Sequence, residues 1–193
     1  MAPRSDLGDH RGVSDPARLF LALWPEPPLR SALAAYRDAW RWPSGAKPVP
    51  DAALHLTLHF LGAFARARIP GLATSLAAVA ASASAMRPMG GEVWKGGIAV
   101  LRFDANAALV KLHGRLGAVL ADAGIALDPR PFTPHVTLAR KAAKAEPPAT
   151  HPAFEWRADG FALVESLPGG AARYQLLARF ASRPQARSDI VSG

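Results

Sequence analysis

The sequence of 193 residues contains no cysteine. Disulfide bonds, thiolate catalysis and cysteine-based zinc sites are therefore excluded. The chain also lacks a continuous apolar run of the roughly 18–20 residues that a membrane-spanning helix needs. Its N-terminal segment mixes acids, bases, glycine and proline and has no apolar centre, unlike a secretory signal. We therefore expect a cytoplasmic protein with no membrane association.

Acidic residues are scarce relative to basic ones, with 15 Asp and Glu against 23 Lys and Arg and a formal net charge of +8. Such a surplus indicates a polyanionic partner such as nucleic acid or a phosphate ester. An arginine-rich composition that serves solubility alone fits the charge equally well. The length and the 50% hydrophobic content allow one domain or two small packed lobes.

Hydrophobic periodicity predicts the domain organisation. Residues 1–17 have nothing to bury and are expected to form a disordered leader, and 181–193 a flexible tail, around a single two-lobed domain at 18–180. Strands are predicted at 18–24, 54–60, 93–94, 98–101, 134–140, 154–165 and 174–180. Helices are predicted at 29–42, at 69–86, and from a cap at Asp104 or Asn106 to Gly124. The repeated order predicts an α+β fold, with two pseudo-symmetric lobes of antiparallel sheet and helices outside.

Two of the predicted strands, 54–60 and 134–140, carry the sequence His-x-Thr-Leu. In a strand that alternates strictly, the His and Thr of each motif share one face: His55 with Thr57, and His135 with Thr137. The apolar positions of the first strand, Phe60 included, would face the other way. With the six His and five Thr of this chain, two such pairs are roughly a one-in-a-hundred coincidence. We therefore expect both strands to line a central cleft.

The residues around the motifs carry a resemblance to a known family. They are Arg18-Leu19-Phe20-Leu21-Ala22-Leu23, Phe60-Leu61-Gly62, Phe132-Thr133-Pro134, Ala139-Arg140, and Phe161-Ala162-Leu163-Val164-Glu165-Ser166 followed by Tyr174. Together with the motifs, these make the chain resemble the 2H phosphoesterases, specifically the RNA 2′,3′-cyclic phosphodiesterases of the 2′-5′ RNA ligase family. The resemblance implies hydrolysis of RNA 2′,3′-cyclic phosphate ends, or of small cyclic nucleotides, to 2′-phosphomonoesters. It also implies that reverse 2′-5′ joining is open to the same site.

Histidine and threonine suit this chemistry. Opening a cyclic phosphodiester needs a base for water and an acid for the leaving ribose oxygen, and histidine serves in either role. Threonine hydroxyls can donate to the non-bridging phosphate oxygens. The resemblance makes His55 the proton donor and His135 the proton acceptor, a choice that the motifs alone leave open. No metal or cofactor is expected, and a monomer with no obligate protein partner is expected.

Three further residues are candidates for binding substrate. The family commonly carries Arg where this chain has His59, and strict alternation sets His59 beside His55 at the phosphate, as a weaker and pH-dependent cation. Arg140 reaches the cleft only if its strand bulges or ends there. Phe20 could stack on a base.

Core packing is the expected role of several aromatic residues, and no role is expected of the remaining histidines. Core packing is favoured for Phe20 as well as for Trp24 and Trp94. No motif surrounds His10, His113 or His151, which are expected to be bystanders.

Two other functions remain open at the level of sequence. His55 and His59 have the spacing of a zinc-ligand pair on a helix, but on a strand they would lie about 13 Å apart. A non-catalytic RNA-binding module would use the basic surface alone. Activity in excess chelator would argue against the metal site. Loss of turnover without loss of RNA binding in a His55→Ala or His135→Ala variant would argue against the binding module.

Overall fold

The structure, a computed structural model, describes residues 15–81, 84–150, 152–169 and 173–181. Its helices are α1 (Pro27–Asp38), α2 (Ile69–Ala77) and α3 (Ala107–Asp122). Its strands are β1 (Ala17–Leu23), β2 (Lys47–Pro48), β3 (Leu56–Phe64), β4 (Ser84–Met86), β5 (Pro88–Trp94), β6 (Ile98–Phe103), β7 (His135–Arg140), β8 (Trp156–Ala158), β9 (Gly160–Ser166) and β10 (Tyr174–Ala181). The predicted α+β class is confirmed.

Most strands form one antiparallel sheet in the order β10-β9-β1-β3-β7-β6-β5, with β2 paired to β7. The two motif-bearing strands, β3 and β7, are neighbours at its centre and are joined there through the pair Leu56 and Val136. We call β10, β9, β1 and β3 half one, and β7, β6, β5 and β2 half two. The two predicted lobes are therefore halves of a continuous sheet, and they meet where the motifs lie.

The helices pack on one face of this sheet, and α3 shows why its prediction succeeded. Its N-terminus is capped by the Asn106 side chain, which accepts a hydrogen bond from Leu109 N at 3.0 Å. At its C-terminus Gly124 has φ +75°, and Ile125 N donates to Leu120 O at 2.9 Å, which is a Schellman cap. No helix in the described part of the chain is long and apolar enough to cross a membrane.

The helix predicted at 69–86 is wrong in its second half. Helix α2 ends at Ala77, and Ser84–Met86 is strand β4, in which Met86 lies opposite Trp156 of β8. Met86 is fully buried, and the Ser84 hydroxyl donates to the Asn106 side-chain oxygen at 3.0 Å. Pairing with a strand distant in sequence has overridden the helical preference of an alanine-rich segment.

The predicted boundaries need three corrections. Ala17 is buried in β1 opposite Phe64, so it is not part of a leader. Ala181 belongs to β10; the rest of the predicted tail, and 1–14 of the leader, lie outside the described residues. The strand predicted at 154–165 is divided into β8 and β9. At Gly160, where β9 begins, a Cβ would overlap the Phe180 carbonyl oxygen, so only glycine fits.

Candidate active site

A cavity of about 930 Å³ runs along β3 and β7 and extends from the motif face of the sheet to His59 and His113 on the helix side, and we call it the cleft. His55, Thr57, His135 and Thr137 all line it. The central pair between them, Leu56 and Val136, is fully buried in the core on the other face. Because the strands are antiparallel, this register places His55 opposite Thr137 and Thr57 opposite His135. The predicted central cleft with paired motifs is confirmed.

Both motif histidines are held by the same backbone contact. His55 Nδ1 lies 2.7 Å from the Ala53 carbonyl oxygen, and His135 Nδ1 lies 2.7 Å from that of Thr133. A carbonyl can only accept, so Nδ1 carries the proton and Nε2 of the neutral ring is free to accept one. His55 Nε2 accepts a hydrogen bond from the Thr57 hydroxyl at 3.1 Å. Each imidazole thus keeps one nitrogen for proton transfer.

His55 is surrounded by aromatic rings. Trp24 stacks on it at 5.4 Å, Phe20 lies at 4.9 Å, and Tyr174 meets it edge-on at 5.1 Å, measured between ring centroids. Burial, together with the positive charges of His135 and Arg140, lowers the pKa of His55 to about 4, against the opposing effect of the bond to Ala53. The ring is therefore neutral at pH 7.

His135 has different neighbours. Its ring centroid lies 4.4 Å from that of Trp94, and Arg102 is its cross-strand partner on β6. Burial lowers the pKa of His135, the bond to Thr133 raises it, and the charge of Arg102 lowers it. Arg102 itself lies 3.6 Å from Glu92, whose carboxylate opposes this effect.

Strand β3 does not alternate strictly after its motif. Thr57 pairs with Ala22 of β1, whereas His59 pairs with Leu21, so Leu58 forms a β-bulge. Paired residues share a face, and Ala22 and Leu21 face opposite ways. Thr57 therefore faces the cleft, while Leu58 and His59 both point into the packing with the helices, where both are buried.

The prediction that His59 shares the face of His55 is therefore wrong: His59 borders the cleft from the helix side. His59 is 7% exposed, and its Nε2 donates to the His113 carbonyl at 2.9 Å. Its ring lies on that of His113 at 3.9 Å, and the His113 ring stacks on Phe132 at 4.0 Å. We call these three residues the ring stack.

The ring stack connects α3 to the second motif. Burial lowers the pKa of His113 to about 4, helped by the neighbouring His59, and burial also lowers the pKa of His59. Phe132 precedes Thr133, whose carbonyl holds His135. The bystander prediction for His113 missed this contact because no motif marks it. The other two predicted bystanders, His10 and His151, lie outside the described residues.

Strand β7 has a bulge at the equivalent place. Thr137 pairs with Val100 and Ala139 with Ala99, so Leu138 is the extra residue. The condition under which Arg140 reaches the cleft is therefore met, and Arg140 lines it.

The first bulge likewise turns Phe60 toward the cleft, which corrects the prediction that it faces away. Phe60 is 63% exposed and lines the cleft. Phe20, predicted as a base-stacking candidate, is 4% exposed and packs under His55. Trp24 and Trp94 each lie against a motif histidine. Phe60, whose access to the cleft sequence reasoning missed, is therefore an exposed aromatic surface in half one, and the partly buried Tyr174 also lines the cleft.

The geometry does not join His55 and His59 into a zinc-ligand pair, because they lie on opposite faces of β3. In the described ranges no three His, Asp or Glu side chains are grouped so as to hold a metal ion.

Comparison with known proteins gives consistent matches over most of the chain. The family model of the 2′-5′ RNA ligase superfamily matches residues 25–170, which include both motifs. An RNA 2′,3′-cyclic phosphodiesterase from Thermus thermophilus is 34% identical over 182 residues, covering 86% of this chain and 90% of that protein. One from Escherichia coli is 28% identical over 193 residues, covering 88% and 98%.

Solved structures show the same fold. E. coli LigT complexed with 3′-AMP superposes with a TM-score of 0.78 at 26% identity, covering 88% of this chain and 100% of that one. TT0787 of T. thermophilus gives a TM-score of 0.71 at 28% identity, covering 85% and 97%.

Proposed function

Because this chain belongs to the 2′-5′ RNA ligase superfamily, we propose that it is a metal-independent RNA 2′,3′-cyclic phosphodiesterase that forms 2′-phosphomonoester ends. One observation carries the proposal: two imidazoles, each fixed by a carbonyl two residues earlier, face one cleft beside two threonine hydroxyls. The 3′-AMP bound to E. coli LigT supports a nucleotide as the ligand. One chain supplies both motifs and therefore both of the proposed proton-transfer groups.

Each residue of the site has a role in the proposed reaction. His135 Nε2 takes a proton from water, whose oxygen attacks the phosphorus while the bond to the 3′-oxygen breaks. His55 gives a proton to that leaving oxygen. Thr57 and Thr137 donate hydrogen bonds to the non-bridging oxygens, where negative charge accumulates, and Arg140 adds positive charge.

The low pKa of His55 bears directly on its proposed role as the acid. An acid must be protonated when substrate is bound, yet the free imidazole is neutral at pH 7. The negative charge of a bound cyclic phosphate stabilises the imidazolium and raises its pKa. We therefore propose that His55 gains its proton together with the substrate.

The test uses an oligoribonucleotide that ends in 2′,3′-cyclic phosphate, incubated in excess EDTA. A 2′-phosphate product, identified by ³¹P NMR, is expected. A 3′-phosphate product would reverse the assigned leaving oxygen, and absence of turnover would contradict the function. When a 5′-hydroxyl replaces water as the nucleophile, the same step opens the cyclic phosphate to a 2′-5′ phosphodiester and frees the 3′-hydroxyl. Ligation is therefore tested with one RNA that ends in 2′,3′-cyclic phosphate and a second that has a 5′-hydroxyl end.

A non-catalytic RNA-binding module is the alternative. It predicts that wild type binds the RNA without changing it. A His135→Ala variant that binds the cyclic end as wild type does but no longer converts it would contradict this alternative.

A further inference from the structure

The two ends of the cleft differ in charge. Because β3 and β7 are antiparallel, Phe60 and Arg140 lie at opposite ends. At the Phe60 end, Arg130 forms an ion pair with Asp128, and Arg18 is exposed. The Arg140 end carries more positive charge.

Five exposed cations gather where β7 leaves the cleft. Lys47 of β2 lies directly opposite Arg140, so the two share the cleft face. Lys141 follows with φ +55°, which turns the chain, and Lys144 comes next. The turn between β5 and β6, which carries Lys95, contacts this segment through a hydrogen bond from Ala142 N to Gly97 O at 2.8 Å. We call Lys47, Lys95, Arg140, Lys141 and Lys144 the basic track.

Acidic groups leave the charge of the basic track largely uncompensated. None of its members forms an ion pair within the described parts of the chain. The acid that follows closest in sequence, Glu146, is engaged by Arg41 at 3.0 Å. A surface of this kind favours a polyanion over a single small anion.

We propose that the basic track binds the phosphate backbone of single-stranded RNA upstream of the cyclic end, so that the protein favours RNA ends over cyclic mononucleotides. This inference rests on the proposed function. Arg140 lines the cleft together with the motif residues and lies directly opposite Lys47, so the basic track begins at the cleft and leads away from it. Lysine contacts to phosphate are independent of base sequence, so the selected feature is chain length.

The experiment compares three substrates with the same cyclic end: a mononucleotide, a dinucleotide and a hexanucleotide. For wild type, KM falls as the chain lengthens, and the fall is greatest at low salt. In the double variant Lys47→Ala, Lys144→Ala, kcat/KM for the hexanucleotide drops about tenfold near 0.1 M salt, and the salt slope decreases by about 1.4. The kcat/KM for the mononucleotide is unaffected.

The matched control, Arg87→Ala with Lys111→Ala, removes two exposed cations outside the track and leaves kcat/KM for all three substrates unchanged.

Three outcomes would overturn the inference: equal KM for all lengths in wild type, equal losses for mononucleotide and hexanucleotide in the track variant, or equal losses in the control. If wild type turns over none of the substrates, the proposed function fails by itself. The basic track is then tested by fluorescence anisotropy with a labelled hexanucleotide that ends in 2′-phosphate. Equal affinity of wild type and track variant in that assay would overturn it.

Discussion

The two half-sites have the same backbone and different surroundings. In each, the histidine is tied to the carbonyl two residues earlier, the threonine faces the cleft, and a bulge follows at Leu58 or Leu138. His55, however, lies among three aromatic rings, whereas the cross-strand neighbour of His135 is a cation. The backbone thus sets where each imidazole stands, and the neighbouring side chains set its pKa.

The halves differ most in the residue that follows each bulge. Phe60 and Arg140 occupy equivalent positions, three residues beyond the motif threonine, and both face the cleft. Half one therefore offers a surface on which a base can stack, and half two offers a charge for phosphate. This difference gives an otherwise symmetric cleft a direction.

The largest expected effect comes from removing either imidazole. His55→Ala and His135→Ala should each lower kcat by about 10²–10⁴-fold, and the double variant should lose little more, because acid and base act in one step. Single-turnover rates on a cyclic-ended oligoribonucleotide provide the measurement. A variant that keeps more than a tenth of wild-type kcat would show that its half-site is not catalytic.

Replacing the two motif threonines should affect the pH dependence of kcat/KM differently in the two halves. Thr57→Ala and Thr137→Ala each remove a donor to the phosphate and should cost about 10²-fold in kcat. Only Thr57 also donates to a histidine, His55, and so favours its neutral form. The pKa of His55 should therefore rise in Thr57→Ala, moving the basic limb of the kcat/KM profile to higher pH. Identical profiles for the two variants would contradict this difference.

The pair Phe60 and Arg140 should separate stacking from charge. Arg140→Gln should lower kcat/KM by about 10- to 100-fold, and it should raise the pKa of His55, since the charge of Arg140 lowers it. Phe60→Ala should lower kcat/KM by about fivefold or more, without any shift in pH dependence. A shifted pH profile of kcat/KM in Phe60→Ala, or an unshifted one in Arg140→Gln, would contradict the assignment of stacking to Phe60 and charge to Arg140.

The smallest effect on turnover is expected at the ring stack, which supports half two. His113→Ala should lower kcat a few-fold by loosening Phe132, whereas His113→Phe should keep the stack and the rate. Because the pKa of His113 is lowered from 6.5 to about 4, its contribution to stability is complete above pH 6.5. That contribution is lost as the pH falls from 6.5 toward 4.

Thermal unfolding from pH 7 to pH 4 tests the acid effect. His113→Phe should lose less melting temperature over this range than wild type, because it has no imidazole to protonate there. An equal loss in both proteins would remove His113 as a source of acid instability.

Much of the site followed from local sequence, and the parts that did not depend on distant pairing. Alternation identified the motif strands, and capping residues fixed α3. The assumption of strict alternation beyond the first motif placed His59 and Phe60 on the wrong faces of β3. The position of a β-bulge depends on pairing with the partner strand, here β1. The consecutive apolar residues Leu138 and Ala139, followed by Arg140, were a signal that β7 breaks the pattern. The alanine-rich segment before Met86 gave no sign of its strand partner.

The paired bulges separate two kinds of mutational constraint that strict strands would combine. The residue at position 59 or 139 must fit the interior, whereas the side chain of the next residue, 60 or 140, is exposed and lines the cleft. Substitution at the outward positions can therefore change what the cleft recognises at little cost in folding. The inward positions contact the core and the helices, and at His59 this contact is part of the ring stack. The fold thus provides two adjustable recognition points around a fixed chemical centre.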